Sequence, residues 1–332
     1  MILCALATTV PLIVGSLNNS LSVSIYGGIA GYLLALNDHL GDLKHRLLVL
    51  LLTFLLLISA VALGFSLADR PILALMIVLG FVYWLGIFGN EGAETERAIL
   101  FSALGMVIAL FSGNLATPLI LQAFIYSSIG FTCVLFGAPL LVATGPWTSR
   151  SNHGIRESLG KSLTWKLDRH IHAVSYTLTV LIAMILAYEL RSQRGYWIVI
   201  TAMLVMKPDR RLSVYVTLQR LIGTFFAVAA CEAVFFYLGN AMEIWRSFPL
   251  ILSISGCAFA IPLALKRSYL AASFLITIVV LFLLQLASSP AVGPILALLR
   301  LRATLIGCAL SLLGTFVSLA LTSLWQSRRS AP

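Results

Sequence analysis

One stretch gathers most of the polar chemistry of this 332-residue chain: Gly195-Tyr196-Trp197-Ile198-Val199-Ile200-Thr201-Ala202-Met203-Leu204-Val205-Met206-Lys207-Pro208-Asp209-Arg210-Arg211. Lys207, Arg210, Arg211 and the later Arg220 are clustered bases that offer positive potential to a carboxylate. Trp197 adds a stacking or cation–π surface, and Thr201 a hydroxyl within the apolar run. Pro208 stops the short helix, because it has no N–H and restrains Lys207 before it. Asp209 then either caps the following helix or pairs with Arg210, Arg211 or Arg220. Gln219 and Arg220 enter that helix, and Gly223 allows a close helix contact. The same residues also suit a plainer role, a basic loop that sets topology with Tyr196 and Trp197 in an aromatic belt at the headgroups.

Other ionisable residues stand inside or beside apolar runs. Glu232 lies deep in the run from Leu221 to Leu238, where a charge costs ~2.5–3.5 kcal/mol on insertion scales. It is either a proton-coupling carboxylate alongside Asp209, or an outer-interface partner of Arg191 or Arg194. Glu189 reads as interfacial. Arg300 and Arg302 precede the last span, where they either guide an anion or snorkel to headgroups. Glu91, Glu94 and Glu96 with Arg97 read as a solvated turn, and His170-x-His172 as a surface pair rather than a metal site. Cys4, Cys133, Cys231, Cys257 and Cys308 each sit in apolar surroundings without metal or redox spacing. No nucleotide-binding lysine loop, nucleophile elbow or metalloprotease helix appears, so neither an enzyme nor a cofactor is expected.

The elements that position these residues follow from composition. The chain is 60% hydrophobic and 10% charged, with a mean hydropathy of +1.01, against roughly 25% charged residues in a soluble domain. That excludes a water-soluble globular protein. The net charge of +10 fits loops facing anionic lipid better than a nucleic-acid surface. Apolar runs at 2–17, 21–36, 46–68, 71–89, 98–113 and 118–143, then 170–190, 195–206, 215–238, 247–265, 269–287 and 300–324, predict an all-α polytopic membrane protein of about 12 transmembrane or re-entrant helices. Runs 21–36 and 195–206 are too short to cross a ~30 Å core as ordinary helices. The opening run lacks a preceding base and a cleavage site, which reads as a retained span.

The runs divide the chain into a membrane half at 1–143, a basic linker at 144–169, a second half at 170–324 and a tail at 325–332. With both termini cytoplasmic, the inner loops collect Lys44, Arg46, Arg97, Arg150, Arg156, Lys161, Lys166, Arg169, Lys207, Arg210, Arg211, Arg220, Lys266, Arg267, Arg328 and Arg329. Only Arg70, Arg191, Arg194, Arg246, Arg300 and Arg302 fall outside. The halves also look alike. Ile29 through Asp38 and Ile200 through Asp209 each lead into a basic loop and a long apolar run, an offset of 171 residues (209 − 38). Six runs per half make the two repeats parallel, and transporters place their pathway where such repeats meet.

Tyr196, Trp197, Thr201, Pro208, Asp209, Gln219, Arg220, Gly223 and Thr224 resemble the signature of the fusaric acid resistance family. Tyr269, Thr277 and the stretch Leu299 to Gly307 resemble its closing pattern, and Gly31 to Arg46 its N-terminal version of the loop. Asn37-Asp38 stands where the second half has Pro208-Asp209, and the linker is shorter than the cytoplasmic domain of many members. The resemblance implies a bacterial inner-membrane exporter of small aromatic or organic carboxylic acids, and the expected coupling is to the proton gradient. Trp197, Thr201, Lys207, Asp209, Arg220 and Arg302 would then form the substrate pathway, with Tyr196, Pro208, Gln219 and Gly223 shaping it. Arg302 is the arginine the resemblance favours. A passive organic-anion channel and a non-transporting scaffold or envelope component are the alternatives. The implied partners are an organic anion and the lipid bilayer, with a homo-oligomer or a periplasmic adaptor as protein partners and no nucleic acid.

Overall fold

The computed structural model describes residues 1–38, 43–88, 93–113, 116–142, 167–190, 194–238, 243–288 and 292–330. Among these, every regular element is a helix. In the first half they are α1 (Ile2–Leu17), α2 (Leu21–Asn37), α3 (Leu43–Ser66), α4 (Pro71–Phe88), α5 (Ala93–Phe111) and α6 (Thr117–Val142). In the second they are α7 (Leu167–Glu189), α8 (Tyr196–Val205), α9 (Arg210–Leu238), α10 (Glu243–Arg267), α11 (Tyr269–Leu286) and α12 (Gly293–Ser330). Eight, namely α3, α4, α6, α7 and α9 to α12, are long and apolar enough to cross a membrane. With α1, α2 and α8 as shorter apolar helices, this is a polytopic all-α membrane protein. Residues 144–166 of the expected linker lie outside the described residues.

Several boundaries differ from the sequence expectation, among them the start of α5 at Ala93 rather than 98. Helix α9 starts at Arg210 rather than near 215, because Asp209 caps it. Helix α12 starts at Gly293 rather than 300, so Arg300 and Arg302 lie inside the last helix instead of before it. Pro294 is tolerated there because the first turn has no intrahelical acceptor for its missing N–H.

Helix order recurs along the chain. Subtracting 171 places Tyr196–Val205 at 25–34, inside α2, and Arg210–Leu238 at 39–67, over α3. Glu243–Arg267 falls at 72–96 over α4, Tyr269–Leu286 at 98–115 over α5, and Gly293 at 122 within α6.

The chain forms two compact units. The first is Met1–Leu55, Leu115–Arg150 and Ile222–Leu301; the second is Leu56–Asn114, Ser151–Leu221 and Arg302–Pro332. The first contains α1, α2, α6, α10 and α11 whole, and the second α4, α5, α7 and α8, while α3, α9 and α12 contribute a part to each. Each unit thus takes helices from both sequence halves.

In the first unit, α2 packs on α6 and α1 through glycine. A Cβ on Gly27 would lie 2.5 Å from the Tyr126 carbonyl oxygen, and one on Gly130 2.8 Å from that of Gly27. Gly31 meets the Ala7 carbonyl in the same way. The end of α2 is held by charge: Arg46 donates from Nε and Nη2 to the two Asp38 carboxylate oxygens at 2.9 and 2.6 Å. Asn37 Nδ2 donates to Thr53 Oγ1 at 2.8 Å. In the second unit, α4 meets α7 where a Cβ on Gly86 would lie 2.7 Å from Ala173 Cα.

Candidate functional site

Helix α8 sets the site. Its ten residues carry it about 15 Å, roughly half a hydrocarbon core. Tyr196 to Met203 and Val205 are all buried, so protein rather than lipid surrounds it. A helix with no polar face fits only such an enclosed place. Ala202 O accepts the Met206 N–H at 3.4 Å, while the carbonyls after it need donors from outside the helix in a dry bundle. Tyr176 on α7 donates its hydroxyl to Met203 O at 2.6 Å. Ser311 on α12 donates to Ala202 O at 3.3 Å. The chain then breaks at Pro208 and restarts as α9, whose N-terminus Asp209 caps by accepting from Arg211 N at 2.9 Å.

Polar side chains of three helices meet around α8. Helix α12 presents Thr304, Ser311 and Thr315 as buried hydroxyls, and α9 presents Ser213 and Thr217 with Arg220. Ser213 Oγ and Thr315 Oγ1 share a hydrogen bond at 2.9 Å. Gly307 admits Thr201, whose Cβ lies 2.7 Å from where a Gly307 Cβ would stand, and Gly314 admits Thr179 of α7. Thr201 Oγ1 and Gln219 Oε1 are buried with no hydrogen-bond partner among the described residues. Most of the other hydroxyls of the seam are paired, Thr217 and Thr315 back to their own helices and Ser311 to Ala202 O, as is common where membrane helices pack closely.

At the α8–α9 break the seam opens into a cavity of about 390 Å³. Its walls are Gly86 and Ile87 of α4, Arg169 and His172 of α7, Lys207 to Arg210, and Thr315, Ser318, Leu319 and Thr322 of α12. Three bases, a histidine and three hydroxyls face one carboxylate, so the cavity favours anions. Arg210 is steadied over the Phe316 ring at 5.5 Å. Lys207 Nζ donates to Glu96 Oε1 at 3.3 Å. His172 stacks on Tyr176, with ring centroids 5.9 Å apart, which links the cavity wall to the residue that closes the end of α8.

The structure brings some expected residues together and separates others. Lys207, Pro208, Asp209 and Arg210 share the cavity. Arg220 is fully buried, ten positions and about 15 Å further along α9, so the four bases read as one cluster occupy two levels. Trp197 is 1% exposed and Tyr196 7%; the belt role at the headgroups is therefore corrected, since enclosure of α8 removes both rings from any interface. Gly223 lets α9 approach α11, its Cβ position lying 2.7 Å from Leu270 O. Glu232 is half-buried and Glu189 exposed. Arg302 is exposed, whereas Arg300 is 2% exposed; the arginine turned into the protein is the one that the resemblance did not favour. His170 and His172 face different partners, His170 sharing a hydrogen bond with Tyr83 Oη at 2.8 Å.

Glu96, His172 and Tyr176 were not singled out as site residues by sequence. Tyr176 carried no flag, and Glu96 gains its meaning from a partner 111 residues away. The hydroxyl stripe of α12 was available, because Ser311, Thr315, Ser318 and Thr322 recur at helical spacing.

The fold and seam define a multi-pass helical membrane protein with a polar interior. Residues 182–314 match the family model described as fusaric acid resistance protein-like, so the second half carries such a domain and the resemblance seen in its motifs holds there. A protein of Synechocystis sp., slr1298, itself uncharacterised, is 34% identical over 143 residues, which is 42% of this chain and 18% of that protein. The chain thus matches less than a fifth of its relative's length. No solved structure matches it.

Proposed function

We propose that the protein exports small aromatic or organic carboxylate anions across a bacterial inner membrane, with both termini cytoplasmic and export coupled to protons. The fusaric acid resistance protein-like domain and the polytopic bundle support a membrane transporter in general. The observation that carries the anion reading is the cavity at the α8–α9 break, where Arg169, Lys207 and Arg210 converge beside a half-length helix. A carboxylate would meet Lys207 first and pass along the hydroxyls of α9 and α12 toward Thr201. Arg220, at a deeper level of α9, is a second positive station. Asp209 and Glu232 are the carboxylates proposed to hold the exchanged proton.

The purified chain in liposomes loaded with labelled 4-hydroxybenzoate tests this. Efflux accelerated by an imposed pH gradient is the expected result. Efflux that follows the anion gradient and ignores pH makes the protein a passive channel. No flux of any aromatic or aliphatic acid overturns transport, and loss of abundance alone in Lys207→Ala would point to a scaffold.

A further inference from the structure

The ion pair between α5 and the α8–α9 break has a chemistry of its own. Glu96 reads from sequence as part of a solvated turn, yet its side chain is 24% exposed and that of Lys207 28%. Both are largely withdrawn from water. At 3.3 Å and with both side chains partly accessible, the pair is of the weak kind that another anion can replace. Lys207 is also a wall of the cavity, whereas Glu96 is not among the lining residues. The carboxylate that does line it, Asp209, is engaged by the Arg211 backbone N–H. Lys207 therefore stands between a carboxylate of the protein and the space an incoming anion would enter.

We infer that Glu96 is an internal competitor for the transported anion: it and the substrate carboxylate claim the same Lys207 ammonium. This rests on the anion-transport reading and deepens it. Glu96 presents to Lys207 the functional group that the substrate must bring, which identifies the cavity as a carboxylate site. It also sets affinity, since each binding event must displace Glu96. Removing its charge frees Lys207 and raises the potential of the cavity, whereas a residue that merely supported the fold would weaken binding when altered.

Equilibrium binding of radiolabelled 4-hydroxybenzoate to the full chain in nanodiscs tests the inference. Glu96→Gln is expected to lower Kd about fivefold, the scale of a partly exposed ion pair. Glu96→Asp, which keeps the charge, is expected to bind within about twofold of wild type. In a Lys207→Gln background, Glu96→Gln should change Kd less than about twofold. An unchanged or higher Kd in Glu96→Gln overturns the inference and leaves the transport reading standing. An equal gain in the Lys207→Gln background also overturns it, because the effect would then not run through Lys207. A wild-type chain that binds no carboxylate overturns both. Should Glu96→Gln fail to fold, Glu96→Asn gives the same comparison.

Discussion

Helices α2 and α8 occupy equivalent places in the two sequence halves and are built in opposite ways. Helix α2 is packed by absence: Gly27 and Gly31 bring its backbone onto α6 and α1, and its end is tied by the Asp38–Arg46 pair. Helix α8 is packed by hydroxyls, with Tyr176 and Ser311 on its last carbonyls and Thr201 fitted against Gly307. The 171-residue offset pairs Arg46 with Thr217, Val49 with Arg220 and Ile129 with Arg300. The first half thus holds Arg46 in a local clamp beside the buried Asn37–Thr53 pair, while the second sets hydroxyls along α9 and α12. The contrast sets a charge clamp in the first half against a line of buried hydroxyls in the second.

The comparison breaks most readily at Arg46. Replacing it by Ala leaves Asp38, 14% exposed in its side chain, without its partner, and is expected to cost about 3–5 kcal/mol in stability. Thermal unfolding in detergent reads this, and flux per folded molecule should stay at wild type; stable protein with lost flux would give the first copy a share in transport. Tyr176→Phe removes the donor to Met203 O and is expected to cost about 1–3 kcal/mol, the penalty of an unsatisfied buried carbonyl. A melting temperature equal to wild type would show that α8 does not depend on that bond. Lys207→Gln is expected to weaken carboxylate binding about tenfold, near 1.4 kcal/mol, with little change in melting temperature; the reverse pattern would make Lys207 structural. Gly80→Ala on α4, where a Cβ meets nothing within 4 Å, should shift stability by less than about 1 kcal/mol. A larger loss would mean that glycine in the first half matters beyond its close contacts.

The order of helices, the broken run before Pro208 and the cap at Asp209 were all readable, because hydropathy, proline and capping chemistry act locally. Which way a helix faces was harder. Arg300 and Arg302 differ by about 200° around an α-helix, so one must turn inward, and the choice was written in their neighbours. Arg300, Thr304, Ser311 and Thr315 share the buried face, while Arg302, Leu305, Leu313 and Phe316 are exposed. Trp197 looked like an interfacial ring because Trp is common there, but a short helix whose only small polar residue is Thr201, with no polar side, already pointed to enclosure. Glu96 and His172 were not legible as site residues, since the partners that define them come from distant parts of the chain.

The hydroxyl bond from Ser311 to Ala202 also bears on how the protein is made. Donor and acceptor are 109 residues apart, so when α8 leaves the ribosome the helix that completes its enclosure has yet to be synthesised. At about 15 Å, α8 is too short to be inserted as a span by its own hydropathy. Of its two hydroxyl donors, only Tyr176 on α7 precedes it in the chain. The Ser311 contact can therefore close only late in synthesis, and a chain halted before Ser311 lacks it.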